Sequence, residues 1–408
     1  MEDLDYNPVV PDHVPANLVY DYNLADADSK DPFLRIHEMF QEGVPEIFWT
    51  RHIGGHWCVL GAEAITGLNE TDPKIISAVR SFIPDYQNVD PPVSPPLTAE
   101  PPLHTAYRAA LAPMFTPQRM QKLEGNIRTL CRELIARIKE RGECEFMEDF
   151  AALMPPAIFL HIMDLPLEDA PRLRKLAEQV TNPLSAPMRN RNSPLVELDA
   201  YMEHYIKERT AKPGTDPVSN IVQAQILDRP ITFLEAVQLS RTLLLAGLET
   251  VVSQFGFFAY HMAETPATRR LLIEQPGMMN TVIEEIIRRY GIAPIGRCLE
   301  QDYVYRGVEM KAGDHIVWPV RSYNLDPNMF EDPMEIRFDR LQNRHSSFGT
   351  KSHHFCVGAS LARLELRIFA EEWLAAIPDF HVKPDAKPIY LNGRIARYKS
   401  LPLVVDPQ

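Results

Sequence analysis

One cysteine, Cys356, stands where a thiol could become a metal ligand. It ends a turn-forming segment, and Leu361 and Leu364 follow it at helical spacing. We therefore expect the thiol just before a helix whose free N–H groups point back at the sulfur. The positive end of the helix dipole, with Lys351 and Arg363 close in sequence, predicts a lowered cysteine pKa and a soft anionic ligand suited to iron.

This segment alone permits three interpretations. An isolated cysteine can be buried and inert. His353, His354 and Cys356 could bind zinc, although a fourth ligand at familiar spacing is missing. A haem thiolate is the third interpretation, and Gly358 would then let the backbone pass closely under a flat macrocycle.

The run from Ala246 to Thr250 departs from the apolar sequence around it. A glycine such as Gly247 lowers the stability of a helix interior by about 1 kcal/mol relative to alanine. Burying a carboxylate such as that of Glu249 costs more free energy still. Exceptions of this kind tend to mark functional sites. Thr250 could bond back to the carbonyl of Ala246 and only bend the helix. The functional alternative is a local groove with an acid and an alcohol ready to relay protons.

Two further residue pairs have a spacing that brings them onto one helix face. His104 and Arg108 lie one turn apart and could grip an anion together, or could form an ordinary exposed face. Glu285 and Arg288 lie three residues apart and could form an internal pair or a solvated surface pair.

The elements that must position these residues are mostly helical. Amphipathic periodicity predicts helices over 120–141 and 194–212, and a long apolar helix over 232–264. Two apolar runs around Gly54-Gly55 predict a β-hairpin over 47–60. Seven prolines between 84 and 102 indicate either a surface linker or a binding lid.

Composition excludes several classes of protein. The 408-residue chain has a net charge of −13, which argues against general nucleic-acid binding. Its five scattered cysteines show no disulfide framework, so we expect a reducing cytoplasm. The acidic N-terminus shows neither a signal peptide nor an anchor, and Glu249 inside the apolar run 242–262 favours a core helix over a membrane span. No GxGxxG or Walker-type loop is present, so the chain has no recognisable dinucleotide site of its own.

With these segments in order, the chain resembles the cytochrome P450 family over essentially its whole length. The resemblance rests on AGxxT at 246–250, ExxR at Glu285 and Arg288, the later Arg340 and the Cys356 loop. Four segments are similar in sequence to the bacterial camphor-hydroxylating type and its soluble relatives, namely 54–57, 243–252, 284–289 and 377–380.

The resemblance implies a mainly α fold with a small β region, a triangular helical prism with haem between a long central helix and the Cys-loop helix. Residues 1–30 are polar and proline-rich, which predicts an extended arm, and the resemblance implies that 31–408 form one catalytic domain in which 82–103 is a substrate lid. Cys356 would ligate haem b. The other cofactor residues implied are His104, Arg108, Arg297, His354, Phe348 and Gly358, and the structural triad is Glu285, Arg288 and Arg340.

The chain also departs from the family pattern. Phe348 lies eight residues before Cys356, where the family usually has seven, so the loop carries one added residue. Glu249 replaces the commoner aspartate before Thr250. Ile295 replaces an acid, and the proline-rich loop has no obvious counterpart of the tyrosine that anchors camphor, so we do not expect camphor as the substrate.

The implied activity is a monooxygenase using O2 and electrons from a 2Fe-2S ferredoxin with an NADH-dependent reductase, in a cytoplasmic monomer that binds neither nucleic acid nor membrane. Gly247, Glu249 and Thr250 would be catalytic. We expect a small hydrophobic substrate, a terpenoid or norisoprenoid of ionone type. Its predicted contacts are Thr242, Leu245, Ala246, Ala293, Ile295, Ile395, Phe82 and Tyr86. A peroxide-driven peroxygenase and a haem-binding sensor protein are the alternatives.

Overall fold

The computed structural model describes residues 9–24, 31–80, 93–181, 194–350, 352–391 and 395–405. Helices dominate, and the strands are short. The chain forms two compact units. The first unit takes its described residues from 1–105 and 288–355, and the second takes them from 106–287, 356–391 and 395–408.

The helices carry many of the candidate site residues. In chain order they are α1 (Pro32–Gln41), α2 (Ala62–Asn69), α3 (Leu103–Leu111), α4 (Pro117–Arg141), α5 (Met154–Met163), α6 (Ala170–Thr181), α7 (Pro194–Ala211), α8 (Pro217–Val222), α9 (Phe233–Glu264), α10 (Pro266–Glu274), α11 (Met279–Arg289), α12 (Val320–Asn324) and α13 (Ala359–Ala376). A π-helical turn at Met147–Ala151 precedes α5.

The strands are mostly two to six residues long. In chain order they are β1 (Ile47–Thr50), β2 (His56–Val59), β3 (Ile76–Ser77), β4 (Glu143–Glu145), β5 (Gln225–Ile226), β6 (Arg229–Pro230), β7 (Pro294–Leu299), β8 (Tyr303–Tyr305), β9 (Val308–Met310), β10 (His315–Pro319), β11 (Phe380–Val382), β12 (Ile389–Leu391), β13 (Arg397–Ser400) and β14 (Pro402–Val405).

A five-stranded sheet in the order β1-β2-β10-β7-β3 organises the first unit. β1 and β2 form the predicted antiparallel hairpin, in which Trp49 lies opposite Trp57. β10 runs parallel to β2 and antiparallel to β7. Trp49, Trp57 and Trp318 belong to one buried apolar cluster. The described part of the N-terminal region adds to this cluster through Val14, and the Tyr20 N–H donates to the Trp49 carbonyl at 2.9 Å.

The helix α9 crosses the core of the second unit. It packs against α5, α6, α7 and β13, and apolar side chains on most of its sides are buried. The predicted helix over 232–264 is confirmed, with Thr232 as its N-cap. By length and composition α9 could cross a membrane, but 67% of its most apolar window is buried inside the protein. Such burial is typical of a core helix.

A charged network joins α13, which follows Cys356, to α4. Arg128 donates to Glu372 at 2.7 Å and to Glu371 at 2.6 Å. Arg132 donates to Glu372 at 2.6 Å, and Arg367 donates to Glu124 at 3.1 Å. Because several charges share partners, this network restrains α13 more than an isolated surface pair would.

Most predicted elements are confirmed with shifts of a few residues at their ends. The predicted helix over 120–141 begins earlier, at Pro117, because Thr116 accepts a hydrogen bond from the Arg119 N–H as its N-cap. The predicted helix over 194–212 ends at Ala211. The sequence did not indicate β7 or β3, whose pairing joins residues far apart along the chain.

We predict that Thr232→Ala lowers the free energy of unfolding by about 1 kcal/mol, because α9 begins with a capping box. Thr232 Oγ1 accepts from the Glu235 N–H at 3.3 Å, and Glu235 Oε2 accepts from the Thr232 N–H at 2.8 Å. Urea denaturation measures the change. Thr232→Ser keeps the hydroxyl and is the control, so equal losses in both variants would contradict the capping role.

Candidate functional site

Cys356 lies at the entrance to α13, as the sequence predicts. Its side chain is exposed by surface area, although the protein surrounds the sulfur closely. This burial raises the pKa of the Cys356 thiol, while the N–H groups of Gly358 and Ala359 and the charges of Arg108 and Arg363 oppose the rise. The predicted lowering of the pKa is therefore wrong in its net direction for the polypeptide, because desolvation outweighs the helix dipole and the cations. Lys351, the other cation considered, lies outside the described residues.

Gly358 leaves space beside the sulfur. A Cβ placed on Gly358 would lie 4.0 Å from Cys356 Sγ, and its φ of −87° is open to any residue. Gly358 therefore matters because it has no side chain, and its backbone angle does not require a glycine. That space is compatible with a flat group against the thiol.

Arg108 follows the buried His104 on α3 and belongs to the second unit. Burial lowers the pKa of the Arg108 guanidinium, and the Cys356 sulfur opposes this effect. A cation in a desolvated setting favours a nearby anion. Arg108 is thus placed to support the negative charge of the thiolate.

The first unit carries a second buried cation, Arg297 on β7. Its guanidinium donates to the Gly296 carbonyl at 2.7 Å and to Asn69 at 3.4 Å. Burial lowers the pKa of Arg297 to about 10, and the nearby charge of Glu100 opposes this effect. Because a buried cation is costly without an anion, Arg297 is suited to a carboxylate ligand.

Three histidines and a glutamate gather near one another in the first unit. Glu100 Oε2 lies 2.8 Å from His353 Nε2 and 3.7 Å from His354 Nε2, and the His104 ring is 4.4 Å from the His354 ring between centroids. Burial opposes ionisation of Glu100, but the close His354 ring, together with hydrogen bonds from the Ala78 N–H and His353, holds its pKa at about 2.

His354 has a buried nitrogen to offer a ligand. His354 Nε2 is buried and has no hydrogen-bond partner within the described part of the chain. Burial also lowers the pKa of His354, against the effect of Glu100. The ligand atoms of Glu100, His353 and His354 lie within 4.8 Å of one another, and this group does not include Cys356. The zinc set of His353, His354 and Cys356 is therefore not the cluster that the structure forms.

Phe348 and the turn before the cysteine also belong to the first unit. The Phe348 ring lies 6.4 Å from that of Phe355 and 6.1 Å from that of His345, between centroids. Gly349 has a φ of +95°, a backbone conformation in which a residue with a side chain would be strained.

These residues fit a haem. A thiol with two helix N–H groups directed at it matches a thiolate ligand, and the space at Gly358 suits a flat macrocycle. Each unit contains a desolvated arginine, Arg108 or Arg297, and the first unit also offers His354 Nε2. Each arginine, within its own unit, has the charge to bind a carboxylate such as a haem propionate.

Thr250 makes the backbone contact that a purely structural role would require. Its Oγ1 donates to the Ala246 carbonyl at 2.8 Å, and α9 continues without interruption. A hydroxyl that donates in this way still has lone pairs that can accept a proton or a hydrogen bond. The structural and the functional interpretation of Thr250 are therefore compatible.

Gly247 is required by packing inside the second unit. A Cβ on Gly247 would lie 2.2–2.5 Å from ring atoms of Phe159, which belongs to α5. No side chain can occupy that space unless the ring moves. The glycine of the AGxxT run thus fixes the close approach of α5 and α9.

Glu249 is 1% exposed and is held by an arginine from the C-terminal region. Arg397 on β13 donates to Glu249 Oε2 at 3.1 Å and also pairs with Glu178 of α6. Burial raises the pKa of Glu249 to about 7, while the positive charge of Arg397 opposes the rise. A carboxyl group with a pKa near neutrality can both hold and release a proton.

The predicted substrate contacts on α9 share one accessible strip. Thr242, Leu245, Ala246 and Thr250 are partly or fully exposed, whereas Leu244 and other residues on the remaining sides of α9 are buried. The further contacts with described positions are half-buried: Ile395 in the second unit, and Ala293 and Ile295 in the first. Phe82 and Tyr86 lie outside the described residues.

Two members of the predicted structural triad meet on one carbonyl group in the first unit. Arg288 and Arg340 both donate to the Glu335 carbonyl, at 2.8 and 3.1 Å. Arg288 is fully buried and also donates to the Asn324 and Pro333 carbonyls. Glu285 lies three residues before Arg288 on α11.

Sequence patterns do not indicate Phe159 and Arg397, which contact predicted site residues, or Glu178, which pairs with Arg397. Arg397 is 148 positions from Glu249. Glu178 lies in an ordinary amphipathic helix. The sequence contains no local pattern that would have paired them. An unpaired carboxylate in an apolar helix was the available signal, because it requires a cation from somewhere in the fold.

Comparisons with known proteins give matches along most of the chain. The model of the family described as Cytochrome P450 matches residues 77–389. "Probable cytochrome P450 127A1" of Sinorhizobium fredii (strain NBRC 101917 / NGR234) is 32% identical over 400 residues, which cover 95% of each chain.

Two solved structures are similar over almost the whole chain. That of CYP101J2 has a TM-score of 0.88 and 32% identity, covering 98% of this chain and 99% of that one. That of CYP101C1 has a TM-score of 0.85 and 32% identity, covering 98% and 100%. The expected mainly helical architecture with its small β region is confirmed.

We predict that Gly247→Ala lowers the free energy of unfolding by about 1–3 kcal/mol, because the added Cβ would overlap the Phe159 ring. In a Phe159→Ala background the same change should become stabilising by up to about 1 kcal/mol, since the helix propensity of alanine then dominates. Urea denaturation of the double-mutant cycle measures the coupling.

The exposed Gly125 on α4 provides the control, because a Cβ there meets nothing within 4 Å. Gly125→Ala should stabilise the protein. An equal effect of Gly247→Ala with and without Phe159 would contradict the packing role of this glycine.

Proposed function

Because the chain belongs to the cytochrome P450 family of haem-thiolate monooxygenases, we propose that it hydroxylates a small hydrophobic substrate with electrons from a 2Fe-2S ferredoxin. The leading substrate class is a terpenoid or norisoprenoid of ionone type. The observation that supports this function most is that the second unit contains both a thiol supported by backbone N–H groups and the acid and alcohol of α9.

Cys356 is proposed as the axial ligand of haem b. The N–H groups of Gly358 and Ala359 and the charges of Arg108 and Arg363 favour the anionic sulfur against the cost of burial. For the propionates we propose His104, Arg108, Arg297 and His354. When bound, the haem supplies dioxygen activation, which electron donation from a thiolate promotes.

Glu249 and Thr250 are proposed to supply protons. Glu249 holds a proton in a desolvated carboxyl group, and its pKa of about 7 lets it release that proton near neutrality. The hydroxyl of the adjacent Thr250 is bonded through its hydrogen to Ala246, so Oγ1 can accept a further hydrogen bond. Gly247 keeps α5 close to this part of α9 and thereby fixes where both side chains begin.

The substrate proposal rests on the accessible strip of α9. Leu245 and Ala246 offer apolar surface there, and Thr242 and Thr250 add two hydroxyls already bonded to backbone carbonyls. With Ile395, Ala293 and Ile295, the predicted contacts are mostly aliphatic. Such contacts select by shape and favour a compact hydrocarbon with at most one polar group.

A separate electron donor is proposed because the sequence has no recognisable dinucleotide-binding loop. As this donor we propose a 2Fe-2S ferredoxin with an NADH-dependent reductase, which the resemblance to the bacterial camphor-hydroxylating type implies. We further propose a cytoplasmic monomer, consistent with scattered free cysteines and with the burial of α9.

The reduced carbon-monoxide spectrum of the purified protein tests the ligand. We predict the Soret band typical of thiolate ligation, and its loss in Cys356→His, because imidazole donates less charge to iron. Cys131→Ser removes another thiol on α4 and is the control that should keep the band. A thiolate band that survives in Cys356→His would remove this residue as the ligand.

Turnover of β-ionone tests the class of reaction when it is measured in two ways, with a ferredoxin, reductase and NADH, and with added hydrogen peroxide alone. We predict hydroxylation with ferredoxin, reductase and NADH. Thr250→Ala should raise the fraction of electrons lost as hydrogen peroxide severalfold while substrate binding is retained, because a proton carrier is missing. If added peroxide alone drives faster turnover and Thr250→Ala changes neither route, the peroxygenase alternative replaces the monooxygenase.

A further inference from the structure

Two neighbouring histidines of the first unit meet a glutamate from the segment before α3. Glu100 Oε2 lies 2.8 Å from His353 Nε2 and 3.7 Å from His354 Nε2, and the three ligand atoms lie within 4.8 Å of one another. All three residues belong to the first unit. Within the described part of the chain, no other group of three such ligand atoms is this compact.

A tight turn presents the two histidines side by side. The Phe355 N–H donates to the Ser352 carbonyl at 3.1 Å, so His353 and His354 occupy the two central positions of the turn. The side chain of His354 is 11% exposed, whereas that of His353 is 37% exposed. One imidazole is therefore enclosed by protein, while the other is open to a cation that arrives from solvent.

Glu100 is oriented by contacts that leave one of its carboxyl oxygens to the histidines. The Ala78 N–H donates to Oε1 at 2.7 Å, and the His104 N–H donates to the Glu100 carbonyl at 3.0 Å. The His104 ring also lies 4.4 Å from the His354 ring and 4.9 Å from the His353 ring, between centroids. Hydrogen bonds of this kind fix the direction of a metal-binding carboxylate, and the ring contacts limit movement of the imidazoles.

The enclosed imidazole has a nitrogen that gains from a ligand. His354 Nε2 is buried and has no hydrogen-bond partner among the residues that the structure describes. A buried polar atom in this state is costly. A cation placed between Glu100 and His354 would give this nitrogen a partner.

The donor atoms select the class of cation. Two imidazole nitrogens and one carboxylate oxygen suit zinc and related first-row transition metals, whereas Mg²⁺ and Ca²⁺ prefer oxygen ligands. Zinc bonds of about 2.0–2.1 Å in a tetrahedron place neighbouring ligand atoms about 3.3–3.4 Å apart. The observed separations of 2.8 and 3.7 Å from Glu100 Oε2 lie on either side of this value, so shifts of about 0.5 Å satisfy both.

We propose that Glu100, His353 and His354 bind one divalent transition-metal cation of the zinc type, with water or a carboxylate as the fourth ligand. The cation replaces the hydrogen that His353 Nε2 donates to Glu100. That proton leaves to solvent, and the other ring nitrogen takes one up, so the imidazole remains neutral. The site would join the segment before α3 to the turn before Cys356. It does not rest on the proposed monooxygenase activity.

His354 is also proposed to contact a haem propionate. A carboxylate is an ordinary zinc ligand, so a propionate can complete the site without displacing the histidine. The charge of Arg297 acts on both Glu100 and His354 and opposes a second cation. We therefore expect weaker binding than in structural zinc sites built from thiolates.

Equilibrium dialysis of the holoenzyme against Zn²⁺ tests the proposal, with zinc measured by atomic emission and haem by its Soret band. We expect one zinc per chain in addition to the haem iron. His353→Gln should weaken binding by about tenfold or more, because loss of a mere hydrogen-bond partner of a ligand already costs about 10–100-fold. His353 is partly exposed and is not a proposed haem contact, so this variant should fold and retain haem.

His13→Gln is the matched control. His13 Nε2 lies 2.8 Å from Asp314 Oδ2, the same separation as in the pair of His353 and Glu100, but this pair belongs to no group of three ligand atoms in the described residues. Zinc affinity should be unchanged in this variant. Wild-type affinity in His353→Gln, or an equal loss in His13→Gln, would overturn the inference.

X-ray absorption at the zinc edge identifies the ligand atoms in the loaded holoenzyme. We expect nitrogen and oxygen at about 2.0–2.1 Å, with imidazole scattering that decreases in His353→Gln. Sulfur at about 2.3 Å would place the metal on a cysteine and would also overturn the inference. Loss of the thiolate band in the carbon-monoxide spectrum would overturn the proposed function and leave these outcomes unchanged, because none of them uses Cys356.

Discussion

The ion pair between Glu249 and Arg397 is the interaction on which the burial of an acid in the central helix of the second unit depends. α9 is a long apolar helix, so a carboxylate within it is tolerated only if another element supplies a cation. β13 supplies that cation, and α6 supplies the acid that balances it. One charge requirement therefore fixes parts of three elements around the residues expected to handle protons.

The thiol illustrates the same competition between burial and charge. Helix N–H groups and two arginines favour the anion at Cys356, but desolvation outweighs them in the polypeptide. A ligand that binds the sulfur changes this balance, because it replaces the water that the thiolate has lost. Arg297 shows the complementary case, a cation whose surroundings favour the arrival of an anion.

Sequence reasoning located the features encoded by short patterns. The hairpin of β1 and β2, the limits of α9 and the position of Cys356 before α13 follow from turn residues, apolar period and capping. It failed where distant residues decide the outcome. The pairing of β3 with β7, the net pKa direction of Cys356, and the partners Phe159, Glu178 and Arg397 all depend on contacts that no local spacing encodes.

The contact between Gly247 and Phe159 also constrains how this sequence can diverge. The ring of α5 fills the volume that a methyl group on α9 would need. Evolution can enlarge position 247 only after position 159 has become smaller, so the order of the two substitutions matters. In descendants of this chain the residues at the two positions should vary together. A glycine can therefore be retained in a helix because a neighbouring side chain needs the space, as well as because the reaction needs it.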